Sequence, residues 1–281
     1  MRRYDVIIPF VALIWAGSFI AVKIGVKELS PVQIAFLRFA VASPFMLIAL
    51  LLKKKKLRMP LREFPALIVL ALTGVTLLYL FQFTGIKYTT ASSSAVLINT
   101  NVIFIAILSS LFLREKISLM KGGGIMLGFL GVALIMGGAP FQGISMKGNL
   151  MIILSAICWA VYSVVGKKLL EKYDALTITT YVFIIGTLMF IPFMKEGVPA
   201  GISLTGWAVI LYLALLCSVF AYIAWYDALA DAEASKVAIF LNLIPLFAML
   251  LSYIILKEKM GMSLLAGAFF IITGIYLTQK G

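Results

Sequence analysis

Histidine is absent from this sequence, and cysteine occurs only twice. Histidine is the commonest general acid or base and the commonest metal ligand in proteins, so its absence argues against a metalloenzyme or a hydrolase. The two cysteines, Cys158 and Cys217, lie inside apolar runs, where small buried side chains are expected rather than a disulfide. The sequence therefore predicts no metal site and no cofactor, and it assigns no catalytic residue.

Charged residues are also scarce. They make up 12% of the chain, against about 25% in soluble domains. In contrast, 63% of the residues are hydrophobic, and the mean hydropathy is +1.11. A soluble core cannot bury this excess, because a domain of this size still has to cover itself with polar surface. Lipid tolerates such a composition, so a multi-pass membrane protein is predicted.

Ten apolar runs are long enough to cross a membrane, which takes about 20 mostly apolar residues in a helix. The predicted spans are residues 6–26, 31–52, 64–85, 91–113, 120–138, 148–168, 175–194, 204–227, 234–256 and 262–279. Ser30, Ser118 and Ser203 precede three of these runs and are expected to cap the helices that follow. The predicted fold is an all-α membrane protein with ten transmembrane helices.

Lysine and arginine are unevenly distributed between the two ends of these spans. With the N-terminus inside, sixteen of the 24 lie at inner ends and seven at outer ends, while Arg38 lies within a span. Because positive residues favour the cytoplasmic side, both termini are predicted to be cytoplasmic, in the cell (inner) membrane. The net charge of +13 is thus explained by topology. Membrane lipid is an expected partner, and nucleic acid is not.

The second half of the sequence repeats the first. With a shift of 143 residues, 70–134 aligns with 213–277 without a gap, and Trp15-Ala16 matches Trp159-Ala160 at a shift of 144. The identical pairs include Tyr79/Tyr222, Ala91/Ala234, Ser92/Ser235, Asn99/Asn242, Glu115/Glu258, Gly124/Gly267 and Gly131/Gly274. Apolar bias alone does not align asparagine, glutamate and paired glycines.

Each copy contains five predicted spans, in residues 1–138 and 148–281. Because five is odd, the second copy is expected to enter the membrane in the opposite orientation, which makes an inverted repeat. Two similar halves of opposite orientation can adopt two asymmetric arrangements, one open to each side. Transport by alternating access requires two such states.

These residues resemble the drug/metabolite transporter superfamily, in particular its EamA-like ten-helix branch. The resemblance covers essentially the whole chain. It rests on Trp15-Ala16-Gly17-Ser18-Phe19, on Pro31…Arg38-Phe39, and on the Ala-Ser…Asn stretch leading to Arg114-Glu115-Lys116 that recurs up to Lys257-Glu258-Lys259. It implies a transporter of small organic solutes such as amino acids, metabolites or drugs, acting as an exporter or a facilitative carrier. It does not name the solute, because one fold hosts many functions.

Two other classes of protein compete with this interpretation. A membrane-embedded enzyme or lipid-handling protein would need a cluster of His, Asp or Ser on one side of the membrane, and the sequence offers none. A scaffold or sensor would be expected to carry a soluble module, for which ten spans leave no room.

Nine polar or aromatic residues within the spans are predicted to bind substrate. They are Trp15, Arg38, Tyr79, Gln82, Asn99, Trp159, Tyr222, Trp225 and Asn242. Arg38 either contacts a substrate carboxylate or phosphate, forms a gate pair, or bonds to carbonyls of a neighbouring span, since a charge at this depth costs about 2.5–3.5 kcal/mol. The two asparagines either line a cavity or bond across a helix interface.

Aromatic residues form matching faces on spans three and eight. Tyr79, Gln82 and Phe83 lie on one face of span three, and Tyr222, Trp225 and Tyr226 are their counterparts in span eight. A mixed aromatic and amide lining suits amphipathic solutes, although such faces also serve packing. Trp15 and Trp159 are too deep for an interfacial belt, and they either line the cavity, plug its closed side or pack in the core.

Five further residues are predicted to have structural or gating roles: Glu115, Glu258, Pro245, Gly124 and Gly267. The two glutamates lie between cations at span ends and are expected to cap the following helix or fix the short turn. Pro245 is expected to kink or break span nine and free carbonyls there. The glycines allow spans five and ten to pack closely, either on each other or on a second copy in a homodimer.

Overall fold

The protein is described here from a computed structural model, which covers residues 2–53, 59–86, 88, 97–135, 146–256 and 262–281. Ten helical segments, α1 to α10, run through these residues. In chain order they are α1 (Tyr4–Gly25), α2 (Pro31–Leu52), α3 (Phe64–Ala71, Leu72–Thr76 and Leu77–Ile86), α4 (Asn101–Leu113), α5 (Leu119–Ile135), α6 (Met146–Leu170), α7 (Ala175–Phe190), α8 (Leu204–Leu211, Tyr212–Phe220 and Ala221–Asp231), α9 (Ala234–Ala238, Ile239–Asn242 and Leu243–Leu256) and α10 (Met262–Lys280).

Six of the described helices are long and apolar enough to cross a membrane: α1, α2, α3, α6, α7 and α8. The described parts of α4, α5, α9 and α10 are shorter apolar helices. No strand occurs among the described residues. The part of the chain that the structure describes is therefore all-helical, with the composition of a membrane protein.

Helix starts follow the predicted caps. Ser30 Oγ accepts a hydrogen bond from the Gln33 amide in a capping box at the start of α2. Ser203 Oγ accepts from the Gly206 amide at 3.0 Å, and Ser118 Oγ accepts from the Lys121 amide at 3.1 Å. These three serines satisfy amides that have no partner within their own helices, which confirms the prediction.

Two helix ends, those of α7 and α8, differ from the predicted spans by four residues. α7 ends at Phe190 and continues as a 3₁₀ turn, Ile191–Phe193, because Pro192 has no amide hydrogen to extend the helix. α8 continues past the predicted residue 227 to Asp231. Residues 91–96 of the predicted fourth span and 136–138 of the fifth lie outside the described residues.

Both α3 and α8 contain a π-helical stretch, Leu72–Thr76 in α3 and Tyr212–Phe220 in α8. Under the 143-residue shift, the first stretch falls on residues 215–219, inside the second. A π turn widens the backbone and is frequent at functional sites. The two halves of the chain thus share a local deformation at equivalent positions.

α5 and α10 cross through their glycines in antiparallel directions. A Cβ atom on Gly124 would lie 2.7 Å from the Gly274 carbonyl oxygen, and one on Gly131 would lie 2.7 Å from the Gly267 carbonyl oxygen. Residue numbers therefore increase along α5 while they decrease along α10. Only glycine allows two backbones to approach this closely. Gly124 and Gly267 thus lie at the contact between these two helices.

The two chain termini lie at the same end of the helix bundle. Tyr4 Oη donates a hydrogen bond to Gln279 Oε1 at 3.2 Å, which links the start of α1 to the end of α10. We call this the terminus end. At the opposite end, the Ser203 amide donates to Glu28 Oε1 at 2.6 Å, and Gln33 Nε2 donates to the Gly197 carbonyl at 2.9 Å.

Candidate functional site

Nine aromatic side chains from six helices meet where the two halves of the chain face each other. This central cluster consists of Trp15, Phe39, Tyr79, Trp159, Tyr162, Phe183, Tyr222, Trp225 and Tyr226. Tyr222, Trp225 and Tyr226 are fully buried. Neighbouring rings meet mainly edge to face or tilted, with centroids about 5 Å apart, which aromatic pairs favour.

Several members of the central cluster contact their own repeat counterparts. The Trp15 and Trp159 rings, 144 residues apart, meet edge to face at 5.4 Å. Phe39 and Phe183 have the same separation in sequence, and their ring centroids are 5.0 Å apart. The Tyr79 and Tyr222 hydroxyls, 143 residues apart, lie at 3.2 Å. Because each of these side chains meets its equivalent, the cluster lies where the two copies of the repeat contact each other.

The π-helical stretches of α3 and α8 present carbonyl groups to side chains of the cluster. The Cys217 carbonyl accepts from Trp15 Nε1 at 3.0 Å and from Arg38 Nη2 at 2.9 Å. The Gly74 carbonyl, at the equivalent position of α3, accepts from the Tyr222 hydroxyl at 3.0 Å. In both halves, the distorted backbone thus accepts hydrogen bonds from side chains of the site.

Trp159 lacks the bond that its counterpart makes. Its Nε1 is buried and has no hydrogen-bond partner among the described residues. Trp15 bonds to the Cys217 carbonyl, whereas the equivalent carbonyl for Trp159, that of Gly74, accepts from Tyr222. A buried donor without an acceptor is costly, so a polar group arriving beside Trp159 gains a ready partner.

Arg38 brings a charge to the edge of the central cluster. The residue is 5% exposed. Its Nε donates to Ser218 Oγ at 2.5 Å, and its guanidinium carbon lies 4.8 Å from the centroid of the Tyr79 ring. Together with the bond to the Cys217 carbonyl, these contacts join α2 to the π-helical stretch of α8. The hydrogen bonds from Arg38 to α8 therefore end on neutral oxygen atoms.

The structure brings six of the nine predicted binding residues to this site: Trp15, Arg38, Tyr79, Trp159, Tyr222 and Trp225. Gln82 lies one turn beyond Tyr79 on α3 and is half-buried. Asn99 is buried just before α4.

Asn242 lies against α5 instead of in the cluster. A Cβ atom on Gly128 would lie 2.5 Å from Asn242 Nδ2, and neither amide atom of Asn242 has a partner among the described residues. The sequence left open whether Asn242 lines a cavity or bonds across a helix interface, because spacing alone does not identify the helix that it meets. The turn Ile239–Asn242 is a 3₁₀ helix, and it begins six residues before Pro245 in α9.

Glu115 joins the end of α4 to the start of α9. Its carboxylate accepts from the Ala234 amide at 2.6 Å, from the Ser235 amide at 3.2 Å and from Ser235 Oγ at 3.0 Å. The expectation that it caps the following helix is corrected: Ser118 caps α5, while Glu115 caps a helix of the other half. The repeat could not reveal this, because it pairs equivalent positions and not contacting ones. Glu258 lies outside the described residues.

Two lysines complete this contact. Lys167 Nζ lies 3.5 Å from Glu115 Oε1 and donates to the Ala232 carbonyl. Lys121 is 1% exposed, pairs with Glu233 and donates to the Lys116 carbonyl at 2.8 Å. We call Glu115, Lys121, Lys167 and Glu233 the terminus-end network. It holds α4, α5, α6 and α9 together at the end of the bundle where the chain begins and ends.

Two cavities flank the cluster. The larger, about 220 Å³, lies between α1 and α8 at the terminus end and is lined by residues that include Arg3, Tyr4 and Asp227. The smaller, about 30 Å³, lies between α2 and α3 and is lined by residues that include Ala35 and Tyr79. The larger cavity lies outside the cluster, so the chemistry of the site, and not the size of a cavity, identifies the cluster as the candidate site.

Comparison with known proteins identifies the family. Two stretches, residues 3–137 and 146–279, match the model of the EamA-like transporter family. The chain belongs to this family.

Curated relatives of this EamA-like protein carry transporter names. An "uncharacterized transporter" of Archaeoglobus fulgidus is 41% identical over 98% of this chain and 97% of its own length. A second one from the same organism is 32% identical over 100% of this chain and 99% of its own. The uncharacterized transporter YyaM of Bacillus subtilis is 28% identical over 100% and 94%. The family, the relatives and the apolar helices together make the chain a multi-pass membrane protein of a transporter family.

A solved crystal structure shares the fold of this EamA-like protein. The two chains superimpose with a TM-score of 0.85 at 16% sequence identity, and the match covers 98% of each. At this identity the likeness concerns the fold alone.

Four members of the central cluster, Phe39, Tyr162, Phe183 and Tyr226, were not among the nine predicted binding residues, although the sequence had placed Tyr226 on the aromatic face of span eight. Phe39 and Phe183 are identical residues at a shift of 144, the shift that relates Trp15 to Trp159, so an extended repeat alignment would have found them. Tyr162 has no such signal, because the equivalent position of the first half holds Ser18. The structure places its ring against Tyr226 at 4.8 Å.

Proposed function

We propose that this chain is a carrier that moves small organic solutes, such as amino acids, metabolites or drugs, through the central cluster by alternating access. It acts as an exporter or a facilitative carrier, and not as a membrane-embedded enzyme or a lipid-handling protein. The observation that carries the proposal is the contact between repeat counterparts at the centre of the bundle, above all between Tyr79 and Tyr222.

The proposed architecture is ten transmembrane helices in two inverted halves, residues 1–138 and 148–281. Three observations support it: the sequence repeat, the antiparallel crossing of α5 and α10 through Gly124 and Gly267, and the π-helical stretches at equivalent positions. A binding site at the interface between inverted halves can be opened to either side by tilting one half against the other. The distribution of lysine and arginine supports a cytoplasmic terminus end in the cell membrane.

The terminus-end network supports a closed state on that side. Glu115 ties α4 to α9, and Lys121 ties α5 to Glu233, so the helix ends nearest the termini are held together. Large aromatic side chains fill the space between the halves, and Trp225 and Tyr222 are fully buried. A solute can enter only if these walls separate, which is the movement that alternating access supplies.

In the proposed site, six of the predicted residues contact the solute: Trp15, Arg38, Tyr79, Trp159, Tyr222 and Trp225. Gln82 and Asn99 flank the site, and Asn242 packs α9 on α5. Glu115 acts as a gate residue. Pro245 supports the local break in α9, and Gly124 and Gly267 support the close packing of α5 on α10.

Counterflow in proteoliposomes tests the transport proposal. Vesicles with purified protein and a high internal solute concentration are expected to accumulate labelled solute from outside for at least one member of a panel of amino acids, organic acids and amines. Trp159→Ala is expected to abolish the counterflow, while Tyr276→Ala, which changes a ring that is 61% exposed on α10, is expected to retain it. Folded protein that exchanges no solute of the panel would contradict the proposal.

A further inference from the structure

Among the described residues, no acidic side chain lies at the depth of Arg38. The sequence contains eleven Asp and Glu residues. The ten that lie in the described residues are all in the first two or last two turns of a helix or in a connection. The described ion pairs likewise do not include Arg38. The central cluster therefore carries one positive charge and no counter-charge.

This charge is confined to one half of the chain. At a shift of 144, the position equivalent to Arg38 is Val182, and at a shift of 143 its acceptor Ser218 corresponds to Val75. Packing around the rings is otherwise similar in the two halves, as the contacts between Phe39 and Phe183 and between Trp15 and Trp159 illustrate. Valine packing at the equivalent positions of the other half shows that the repeat does not itself require a guanidinium at this place.

The central cluster, which Arg38 borders, holds a further hydrogen-bond donor. Trp159 Nε1 is buried and has no acceptor among the described residues. Trp159 and Tyr79 share Tyr222 as a neighbour. The ring centroids of Trp159 and Tyr222 are 5.5 Å apart, and the hydroxyl of Tyr222 lies 3.2 Å from that of Tyr79. The Tyr79 ring in turn faces Arg38. A carboxylate or phosphate accepts from such donors, and bonds to charged groups are the strongest of this type.

The aromatic walls taken alone would also suit a cation, because the faces of tryptophan and tyrosine rings attract positive charge. The positive charge of Arg38 favours an anionic solute over a cationic one. Its guanidinium already lies over the Tyr79 ring and within 5.1 Å of the Phe39 ring centroid, and it would repel a second cation in a site that contains no acidic side chain of the described residues.

We propose that the solute is an organic anion with an aromatic or apolar body, whose carboxylate or phosphate pairs with Arg38 while its body lies among the rings of Trp15, Trp159 and Tyr222. This inference rests on the proposed transport function and adds the chemical class of the solute. Pairing also neutralises the uncompensated charge of Arg38, which lowers the cost of holding it in a low-dielectric environment.

Probes that share an aromatic body and differ in the charge of the polar group at its end test the inference. One set comprises the acids 4-hydroxyphenylacetate and indole-3-acetate, a second set their amides, and a third set the amines tyramine and tryptamine. Thermal stabilisation of the purified protein gives an apparent affinity for each probe. At least one acid is expected to bind roughly tenfold or more tightly than its amide, since a hydrogen bond to a charged group outweighs a neutral one, and the amines are expected to bind most weakly.

Variants test whether the charge of Arg38 causes the preference for acids over amides. Arg38→Gln is expected to remove the difference between acid and amide, whereas Arg38→Lys retains part of it. Ser218→Ala removes a neutral partner of Arg38 and is expected to keep the preference. Unliganded melting curves and gel filtration show whether each variant folds, and Arg38→Lys tests the charge even if Arg38→Gln does not fold.

The outcomes separate the two proposals. Amides or amines that bind as tightly as the acids, no binding by any acid, or an unchanged preference in Arg38→Gln would overturn the anion inference while leaving transport of another solute intact. Binding of acids that depends on Arg38 without counterflow of any solute would instead count against the transport proposal.

Discussion

The hydroxyl of Tyr79 donates a hydrogen bond to the hydroxyl of Tyr222, its own repeat counterpart. The two oxygen atoms lie 3.2 Å apart. Tyr222 has one hydroxyl proton, and it donates this proton to the Gly74 carbonyl at 3.0 Å, so the proton between the two tyrosines comes from Tyr79. The chain of bonds Tyr79, Tyr222, Gly74 runs across the centre of the bundle and ends on the π-helical stretch of α3.

Removing the Tyr222 hydroxyl is expected to cost more stability than removing that of Tyr79. Tyr222→Phe leaves both the Gly74 carbonyl and the Tyr79 hydroxyl without this partner, and each buried unsatisfied group costs about 1–3 kcal/mol. Tyr79→Phe removes one bond and is expected to cost about 1 kcal/mol. Thermal unfolding in detergent measures the difference. Tyr276→Phe, on an exposed ring, is the control, and a smaller loss in Tyr222→Phe than in Tyr79→Phe would contradict the direction of the bonds.

Adjacent glycines of α5 are expected to respond oppositely to alanine. Gly124→Ala places a methyl group 2.7 Å from the Gly274 carbonyl oxygen, so the α5 and α10 backbones must move apart, at about 1–3 kcal/mol. A methyl group on Gly123 meets nothing within 4 Å, and Gly123→Ala is expected to stabilise the helix by about 0.4–1 kcal/mol. Melting temperatures of the two variants measure this contrast. Equal effects would show that α5 and α10 do not pack through this face.

The helices were largely predictable because lipid imposes a simple pattern. α2 begins and ends at the predicted residues, since Ser30 and Pro31 mark its start and the lysines from Lys53 onwards mark its end. The repeat also identified Trp15, Trp159 and Tyr222 as equivalent or central residues. These features depend on composition and spacing, which a sequence records directly.

The details of the site were less predictable because they depend on contacts between helices. The π-helical stretch in α3 contains Gly74 and that in α8 contains Cys217, and neither residue type signals a π turn. Gly74 is small because the Tyr162 ring occupies its surface, with a Cβ atom there only 2.2 Å from Tyr162 Cδ2. Asn242 was predicted either to line the solute cavity or to bond across a helix interface, and it packs on Gly128. Periodicity gives the face of a helix and not its neighbour, so the sequence left this open.

Loss of the Glu115 charge is expected to loosen the start of α9. Glu115→Gln keeps an acceptor oxygen but removes the negative charge that favours a helix N-terminus, at a cost of about 1 kcal/mol. Hydrogen exchange of the amides in Ala234–Ala238 is expected to accelerate. The control is Glu196→Gln, which changes an exposed glutamate at the opposite end. Unchanged exchange in Glu115→Gln would remove the capping role from the terminus-end network.

Acidification is expected to destabilise the end of the helix bundle opposite the terminus end, because Glu28 becomes protonated there. Hydrogen bonds from the Ser203 amide and hydroxyl lower the pKa of the Glu28 carboxyl in the folded protein. The resulting stabilisation is present at pH values above the unfolded pKa of about 4.3 and is lost as the pH falls through the lower, folded pKa. In Glu28→Gln this acid-dependent loss is expected to be absent.

Melting temperatures measured from about pH 6 to pH 3 check this dependence. The wild-type protein is expected to lose more stability over the range than Glu28→Gln, and Glu196→Gln is expected to follow the wild type. Parallel curves for the wild type and Glu28→Gln would show that the Ser203 contact contributes nothing to folding.

The central claim is that the second half of the chain is inverted relative to the first, and labelling of equivalent turns tests it most directly. Lys27 follows α1 and Glu171 follows α6, 144 residues later, and both are exposed. Single cysteines at these positions, in a background without Cys158 and Cys217, are treated with a membrane-impermeant maleimide in intact cells. Lys27→Cys is expected to react, and Glu171→Cys is expected to react only after permeabilisation. Labelling of both in intact cells, or of neither, would contradict the inverted arrangement and with it the carrier mechanism.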